Sequence, residues 1–285
     1  MSNSPLMMNP ENADFWPQVV EFCQALTARV GTTLLKEFSQ VQREQKADGS
    51  LVTSGDRWAD QELTAAIQKA FPDHGILSEE GNPIFPAEDW AWIIDPIDGT
   101  TNFAHGLPIW CVALALCYKG YPVFGYVAVP PLGQNFHGFW QAPNYPDGAF
   151  LNGQPIQTSS ASPGPQEFFS LCARSTAVIS QASLSHLGPI PAKIRMLGSA
   201  SYNFLTVAAG YTLGAVEKTP QIWDIAPAWP IVKAANGAVI WLNQAQLFPL
   251  IPGQSLHNQP QSTLMAANPN IGDYFLPWLN CLTCD

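Results

Sequence analysis

Charge is scarce in this 285-residue chain. Asp, Glu, Lys and Arg make up 12% of it, about half the share usual in soluble domains. Asn, Gln, Ser, Thr and Pro must therefore carry much of its contact with water. Basic residues are scarcer still: 12 Lys and Arg stand against 22 Asp and Glu, a formal charge of −10. That shortage excludes duplex nucleic acid and anionic membranes as partners, because phosphate contacts need Lys and Arg. No run of about 18 apolar residues occurs, so no segment reads as a membrane span. The longest charge-free stretch, 234–272, is broken by Asn, Gln and Pro. The opening Met1-Ser2-Asn3-Ser4-Pro5 lacks the basic and apolar regions of a secretion signal and the Arg of a transit peptide, so a cytoplasmic location is expected.

Metal-type His and Cys spacing is also missing. Cys23, Cys111, Cys117, Cys172, Cys281 and Cys284 are spread widely and read as reduced thiols, several of them buried. Cys281-x-x-Cys284 has no second ligand pair to complete a structural zinc site. His74, His105, His137, His186 and His257 show no ligand spacing and read as structural or surface residues. The ten Trp come without a basic groove, which favours core and interface roles over base stacking.

What the chain does have is apolar material: 47% hydrophobic and 11% aromatic, enough for a sizeable core. One large domain, or two tightly packed halves over 1–150 and 151–285, is expected. Apolar residues at steps of three and four from Asn12 to Glu44 describe one long amphipathic helix, and Arg57 to Ala70 a second. Trp90 to Ile94 reads as a buried strand stopping at Asp95-Pro96. Ile109 to Leu116 and Val123 to Val129 follow as strands around Lys119-Gly120. Pro143 to Pro165, rich in Pro, Gly, Ser and Asn, is the candidate seam between the halves. Beyond it come a strand at Phe168–Leu171, a helix over Ala200–Ala209 and a strand near Gly214–Val216. A helix over Asp224–Ala235 and a strand at Ala238–Leu242 complete the series. Strands alternating with helices imply a layered α/β (α+β) architecture.

The densest chemical signal is Asp95-Pro96-Ile97-Asp98-Gly99-Thr100-Thr101. Two carboxylates at a turn after a buried strand offer hard oxygen ligands suited to Mg²⁺. Gly99, Thr100 and Thr101 then supply backbone amides that can open a helix and meet phosphate oxygens. Alone, Asp95 and Asp98 could be turn and cap residues. Other acids sit at element ends as well: Ser78-Glu79-Glu80-Gly81 upstream, Asp56 before the second helix, and Trp223-Asp224-Ile225-Ala226 opening a later one. Asp56 and Asp224 could be N-caps, and Glu79-Glu80 a solvated loop.

Asp95–Phe103 together with Trp223-Asp224-Ile225-Ala226 resembles the paired signatures of the inositol monophosphatase family, within the Mg²⁺-dependent, lithium-sensitive sugar-phosphatase superfamily. Supporting matches are Lys46, Leu51-Val52-Thr53 with Asp56, Gly75 to Glu80, Gly148-Ala149-Phe150, Asn152-Gly153, Gly198-Ser199-Ala200 and Glu217. They run in family order from about residue 15 to 245. The resemblance implies a layered sandwich of the sugar-phosphatase type and hydrolysis of a small phosphate monoester by two to three Mg²⁺ ions. Glu79, Asp95 and the Ile97 carbonyl would hold the first ion; Asp95, Asp98 and Asp224 the second; a third would sit by Glu79. Glu79 and Thr100, with Asp56, form the implied catalytic group that orients and deprotonates the attacking water. The amides of Gly99 and Thr100 would hold phosphate, and Gly198, Ser199, Ala200 and Glu217 the alcohol. The inositol-type continuation Thr101-Asn102-Phe103 favours a polyol phosphate, myo-inositol 1-phosphate first, and the family implies a homodimer.

Three departures bear on the substrate. Leu213 stands where the family has an acid four residues before Glu217, the loop 141–147 lacks the usual basic residues, and Pro227 and Pro230 enter the helix after Asp224. Pro227 fits a first helical turn, whereas Pro230 removes a backbone hydrogen bond and would kink the helix. Fructose 1,6-bisphosphate or a 3′(2′),5′-bisphosphate nucleotide are thus alternative substrates, and a mainly protein-binding regulatory role is the alternative from outside enzymology.

Overall fold

The stretch Trp90–Asp98 is buried along both faces, and the fold is the arrangement that covers both. The computed structural model describes residues 14–38, 43–45, 51–181, 187–243 and 246–282; Val41, Lys46, His186 and Cys284 lie outside them. In chain order, α1 (Phe15–Glu37) is followed by β1 (Arg43–Gln45), β2 (Leu51–Thr53), α2 (Ser54–Ala70), β3 (Gly75–Ser78), β4 (Trp90–Asp98) and α3 (Thr100–His105). Then come β5 (Cys111–Tyr118), β6 (Tyr121–Val129), β7 (Gln134–Phe139), β8 (Gly148–Leu151) and β9 (Gln154–Pro155). The remainder is β10 (Phe168–Leu171), α4 (Ala173–Gln181), β11 (Lys193–Arg195), α5 (Ala200–Ala208) and β12 (Gly214–Glu217). It ends with α6 (Ile222–Ala234), β13 (Ala238–Trp241), β14 (Thr263–Ala266) and α7 (Pro269–Leu279).

Strands β3 to β9 form a seven-stranded sheet in sequence order, antiparallel throughout except for the parallel pair β3–β4. A second sheet has the order β11-β10-β12-β14-β13, with β10 parallel to both its neighbours and β14 antiparallel to both of its own. Trp92 and Ile94 of β4 turn to α1 and α2, packing with Val19, Leu26, Leu63 and Ile67. Ala91 and Ile93, on the other face, meet Phe204 of α5 and Ile225, Ala228 and Ile231 of α6. Ala215 and Met265 of the second sheet close on that same helical layer. The far face of the second sheet, through Phe169, Val216 and Leu264, packs on Ile271, Phe275 and Leu279 of α7. The layers therefore run helix, sheet, helix, sheet, helix, a layered α/β architecture.

Several boundaries differ from the sequence reading. The first helix stops at Glu37, because Phe38 leaves helical geometry (ψ 129°) and its ring packs near Phe103 and Trp110. Two strands of the first sheet, β8 and β9, fall inside the Pro- and Gly-rich stretch 143–165. Helix α6 begins at Ile222, so Pro227 lies in the second turn rather than the first, and the helix continues through Pro230 to Ala234. That stretch of the helix is buried, with Ala226, Ala228 and Ile231 in the core between the two sheets. Gly125 of β6 lets the helix come so close that a Cβ there would lie 1.9 Å from the Pro227 carbonyl oxygen. Among the described residues no helix is long and apolar enough to cross a membrane.

Candidate active site

The site is built where parallel strands β3 and β4 end side by side. Ser78 pairs with Ile94, and the Glu79 N–H donates to the Ile94 carbonyl at 3.2 Å, so Glu79 and Asp95 leave adjacent strands together. Strand β4 does not stop at Asp95. It continues to Asp98, paired with Cys111, through a register shift that contains Pro96 and Ile97. Proline fits a bulge because it has no N–H to leave unpaired. Within the bulge Asp95 Oδ1 accepts the Ile97 N–H at 3.0 Å. Gly99 then turns the chain into α3 with φ +90°, and a Cβ there would meet the carbonyls of Ile109 at 3.0 Å and Gly198 at 3.3 Å.

Asp98 points at the start of α5. Its Oδ2 accepts from Ser199 Oγ at 2.8 Å and the Ser201 N–H at 2.6 Å, and its Oδ1 accepts from the Ala200 N–H at 3.1 Å. Ser199 also caps α5, accepting from the Tyr202 N–H. Gly198, Ser199 and Ala200 thus line the cleft, but the donors of Ser199 and Ala200 serve Asp98. Cys111 lies beneath, its Sγ 3.6 Å from both Asp98 Oδ2 and Ser199 Oγ. Cys111 and Ser201 were not singled out in the sequence; only pairing across from Asp98 brings Cys111 here.

Asp56 and Asp224 are not N-cap residues. Each is the third residue of its helix and reaches back to the N–H of the cap residue, Asp56 to Thr53 in a reciprocal capping box and Asp224 to Gln221. Asp56 Oδ2 accepts from the Thr53 N–H at 2.7 Å and from its hydroxyl at 2.6 Å, while Oδ1 faces Thr100 Oγ1 at 3.1 Å. Thr100 Oγ1 also lies 2.9 Å from the Ile97 carbonyl oxygen. Asp224 Oδ2 accepts from the Gln221 N–H at 2.7 Å.

Carboxylate oxygens of Asp95, Asp98 and Asp224 lie within 4.8 Å of one another. Glu79 faces the same cleft from the end of β3. Burial, then the neighbouring charges of Glu79, Asp98 and Asp224, hold the Asp95 carboxyl well above its ordinary range. Burial likewise raises Asp98 against the pull of its donors, and raises Asp224 with help from Asp98 and Glu79. Asp56 is raised by burial. Asp95 Oδ2 is buried and, among the described residues, no N–H or hydroxyl group reaches it, the neighbouring Asp224 carboxyl being the one side chain that shares a hydrogen bond with Asp95. A buried acceptor without an N–H or hydroxyl donor, among like charges, marks a place for a cation. The all-oxygen donor set fits a hard dication such as Mg²⁺.

The cleft above these acids has a volume of about 970 Å³. One wall of it holds Glu217, whose Oε1 accepts from Asn203 Nδ2 at 2.5 Å and whose carboxyl is pushed up to about 7 by burial. Asn203, on the buried face of α5, escaped the sequence reading because nothing local distinguishes it. Cys172, Arg174 and His257 also border the cleft, so His257 joins the site region although its spacing gave no sign of it. Leu213 is buried in the core under the second sheet, away from that wall.

The profile of the Inositol monophosphatase family matches residues 16–271. A fructose-1,6-bisphosphatase/inositol-1-monophosphatase of Thermotoga maritima is 35% identical over 225 residues, 77% of this chain and 83% of that protein. A histidinol-phosphatase of Chlorobaculum parvum is 32% identical over 224 residues, 74% of this chain and 81% of that protein. Among solved structures, an IMPase of Thermotoga maritima matches with TM-score 0.78 at 30% identity, covering 93% of this chain and 98% of that one. An IMPase/NADP phosphatase complexed with Mg²⁺ and phosphate shares the fold at TM-score 0.75 and 21% identity, covering 93% of this chain and 95% of that one. The family's span, and the acids gathered at the ends of β4 and α6 within it, leave one conclusion: the chain belongs to the inositol monophosphatase family and is a phosphoric monoester hydrolase of that kind.

Proposed function

We propose that the chain hydrolyses the phosphate monoester of a small polyol, myo-inositol 1-phosphate in first place, with Mg²⁺ as its metal. The observation that carries this reading is the buried trio Asp95, Asp98 and Asp224, with oxygens within 4.8 Å of one another and Asp95 Oδ2 lacking an N–H or hydroxyl donor among the described residues. Asp95, Asp98 and Asp224 are assigned to one ion, Glu79, Asp95 and the Ile97 carbonyl to another, and a third is assigned to the neighbourhood of Glu79. When bound, Mg²⁺ supplies the positive charge that lets a phosphate dianion settle in an acidic cleft and makes water easier to deprotonate.

The chain's own groups then do the rest. Asp56 Oδ1 takes the Thr100 hydroxyl proton in a hydrogen bond, leaving the Thr100 oxygen to accept one from the attacking water. Glu79 receives the proton that water gives up. The Gly99 and Thr100 amides hold phosphate oxygens. Glu217, fixed by Asn203, accepts hydroxyl hydrogen bonds of the departing polyol. The enzyme is proposed to work as a homodimer, which sedimentation of the purified protein checks directly.

A second substrate reading has one observation in its favour. Arg174 borders the cleft and gives it a cation beyond the acidic floor, a feature a sugar bisphosphate could use. Phosphate release from myo-inositol 1-phosphate, fructose 1,6-bisphosphate and 3′-phosphoadenosine 5′-phosphate, with Mg²⁺ or chelator and beside Asp95→Asn, decides between them. Metal-dependent release from the inositol ester, lost in the variant, is the expected result; release from none of the three overturns the proposal.

A further inference from the structure

We propose that Asp60 is a positioning residue for Glu79, acting through the Ser78 hydroxyl. The inference rests on the reading of Glu79 as a metal ligand. Asp60 lies on α2 and is only 9% exposed; Ser78, the last residue of β3, is 3% exposed. The Ser78 hydroxyl donates to Asp60 Oδ1, and its oxygen accepts the Gly81 N–H at 3.2 Å. The Ser78 N–H donates to the Asn82 carbonyl at 3.1 Å, so the turn carrying Glu79 is closed on itself. It is also packed tight, since a Cβ at Gly81 would lie 3.3 Å from Ser78 Oγ and 3.4 Å from Asp60 Oδ2.

The position of Asp60 gives this contact a purpose. Asp56 and Asp60 are four residues apart in α2, so their side chains leave the same helix face one turn apart. Asp56 fixes Thr100, and Asp60 fixes the residue next to Glu79. One rigid helix face therefore sets the two groups that must meet on the same water. Strand pairing places the Glu79 backbone beside Ile94, and the Asp60–Ser78 contact sets how its turn leaves the strand. A carboxylate suits this task because Ser78 must donate in one direction while accepting from Gly81 in the other.

The test is direct Mg²⁺ titration by calorimetry on the full chain and on Ser78→Ala, Asp60→Ala, Asp60→Asn and the Ser78→Ala/Asp60→Ala double variant, with melting temperature measured alongside. Both alanine variants should bind Mg²⁺ about tenfold more weakly, the usual scale for losing a partner behind a metal ligand, and the double variant no more weakly than either. Asp60→Asn keeps an acceptor for Ser78 and should bind within about threefold of wild type. Alanine variants that melt earlier yet bind Mg²⁺ normally would reduce Asp60 to a fold-stabilising residue and overturn the proposal. So would an Asn variant as weak as the Ala variant, since charge rather than position would then be responsible. If Asp60→Ala fails to fold, Ser78→Ala carries the test. Undiminished Mg²⁺ binding by Glu79→Gln would mean instead that the ligand assignment itself has failed.

Discussion

The Ser199 hydroxyl donates to Asp98 Oδ2 at 2.8 Å, joining the end of β4 to the start of α5 across 101 residues of chain. Asp98 is thereby held by the central helical layer as well as by its own strand. Ser199→Ala removes a hydrogen bond to a buried carboxylate, worth about 1.5–3 kcal/mol, together with the side-chain cap of α5, worth about 1 kcal/mol. Urea denaturation in chelator should show a loss on that scale. A loss no larger than the cap alone, about 1 kcal/mol, would mean that the Ser201 and Ala200 amides suffice for Asp98.

Asp95→Asn should make the metal-free protein more stable and the enzyme inactive. The wild-type carboxyl is buried among Glu79, Asp98 and Asp224, and each of these pushes its pKa up. Neutralising it relieves that repulsion, but it also removes the acid assigned to both ions. Melting curves with and without Mg²⁺ check both halves: the variant should melt above wild type in chelator and gain little from added metal. Equal metal stabilisation in the two proteins would argue against Asp95 as a ligand.

Acid stability should depend on two histidines remote from the site. Burial depresses His74, stacked between Phe71 and Trp90, and His137, stacked on Phe150, from 6.5 to about 4. Between those values the unfolded chain binds more protons than the folded one, so stability present above pH 6.5 is lost as pH falls through about 4. A His74→Phe/His137→Phe variant should lose less stability than wild type over that window. Parallel pH curves for the two proteins would show that neither imidazole is held neutral by the fold.

Glu217→Gln tests the alcohol side of the proposed reaction. Gln retains the shape but can no longer accept at both positions while holding Asn203. KM for the polyol ester should rise about tenfold, with a smaller change in kcat, as expected when a substrate hydrogen bond is lost in both ground and transition states. An unchanged KM would place the polyol elsewhere in the cleft.

Gly125→Ala should damage the site from a distance. The added Cβ would lie 1.9 Å from the Pro227 carbonyl oxygen, so α6 would have to shift. Overpacking of this kind costs about 1–3 kcal/mol, and here the displaced helix carries Asp224. Weakened Mg²⁺ binding together with the stability loss is the expected signature.

The site was far more legible in the sequence than the second sheet. Asp95, Asp98 and Asp224 could be read because acids at abrupt element ends stand out in a chain with so few charges. Their actual placement could not. Asp56 and Asp224 look like caps until their helices are seen to begin two residues earlier, and Pro96 looks like a stop because a bulge is visible only once Asp98 pairs with Cys111. Strand β14 is four residues long and takes its place between β12 and β13 by non-local pairing, which no local period encodes. Asp60, Cys111 and Asn203 are ordinary residues in sequence, and distant partners give them their surroundings.

Helices α5 and α6 lie between two sheets, and the consequence is a division between what can diverge and what cannot. The acids and donors at their N-terminal ends belong to an interior that both sheets grip, so a change there disturbs two interfaces at once. The rim of the cleft is under no such constraint: Leu107 is 55% and Met196 60% exposed, and Arg174 and His257 are exposed beside them. New substrates can be acquired by changing the rim while the buried floor stays as it is. Similarity at comparable identity to a sugar-bisphosphate and inositol phosphatase and to a histidinol-phosphatase is what such a division would produce.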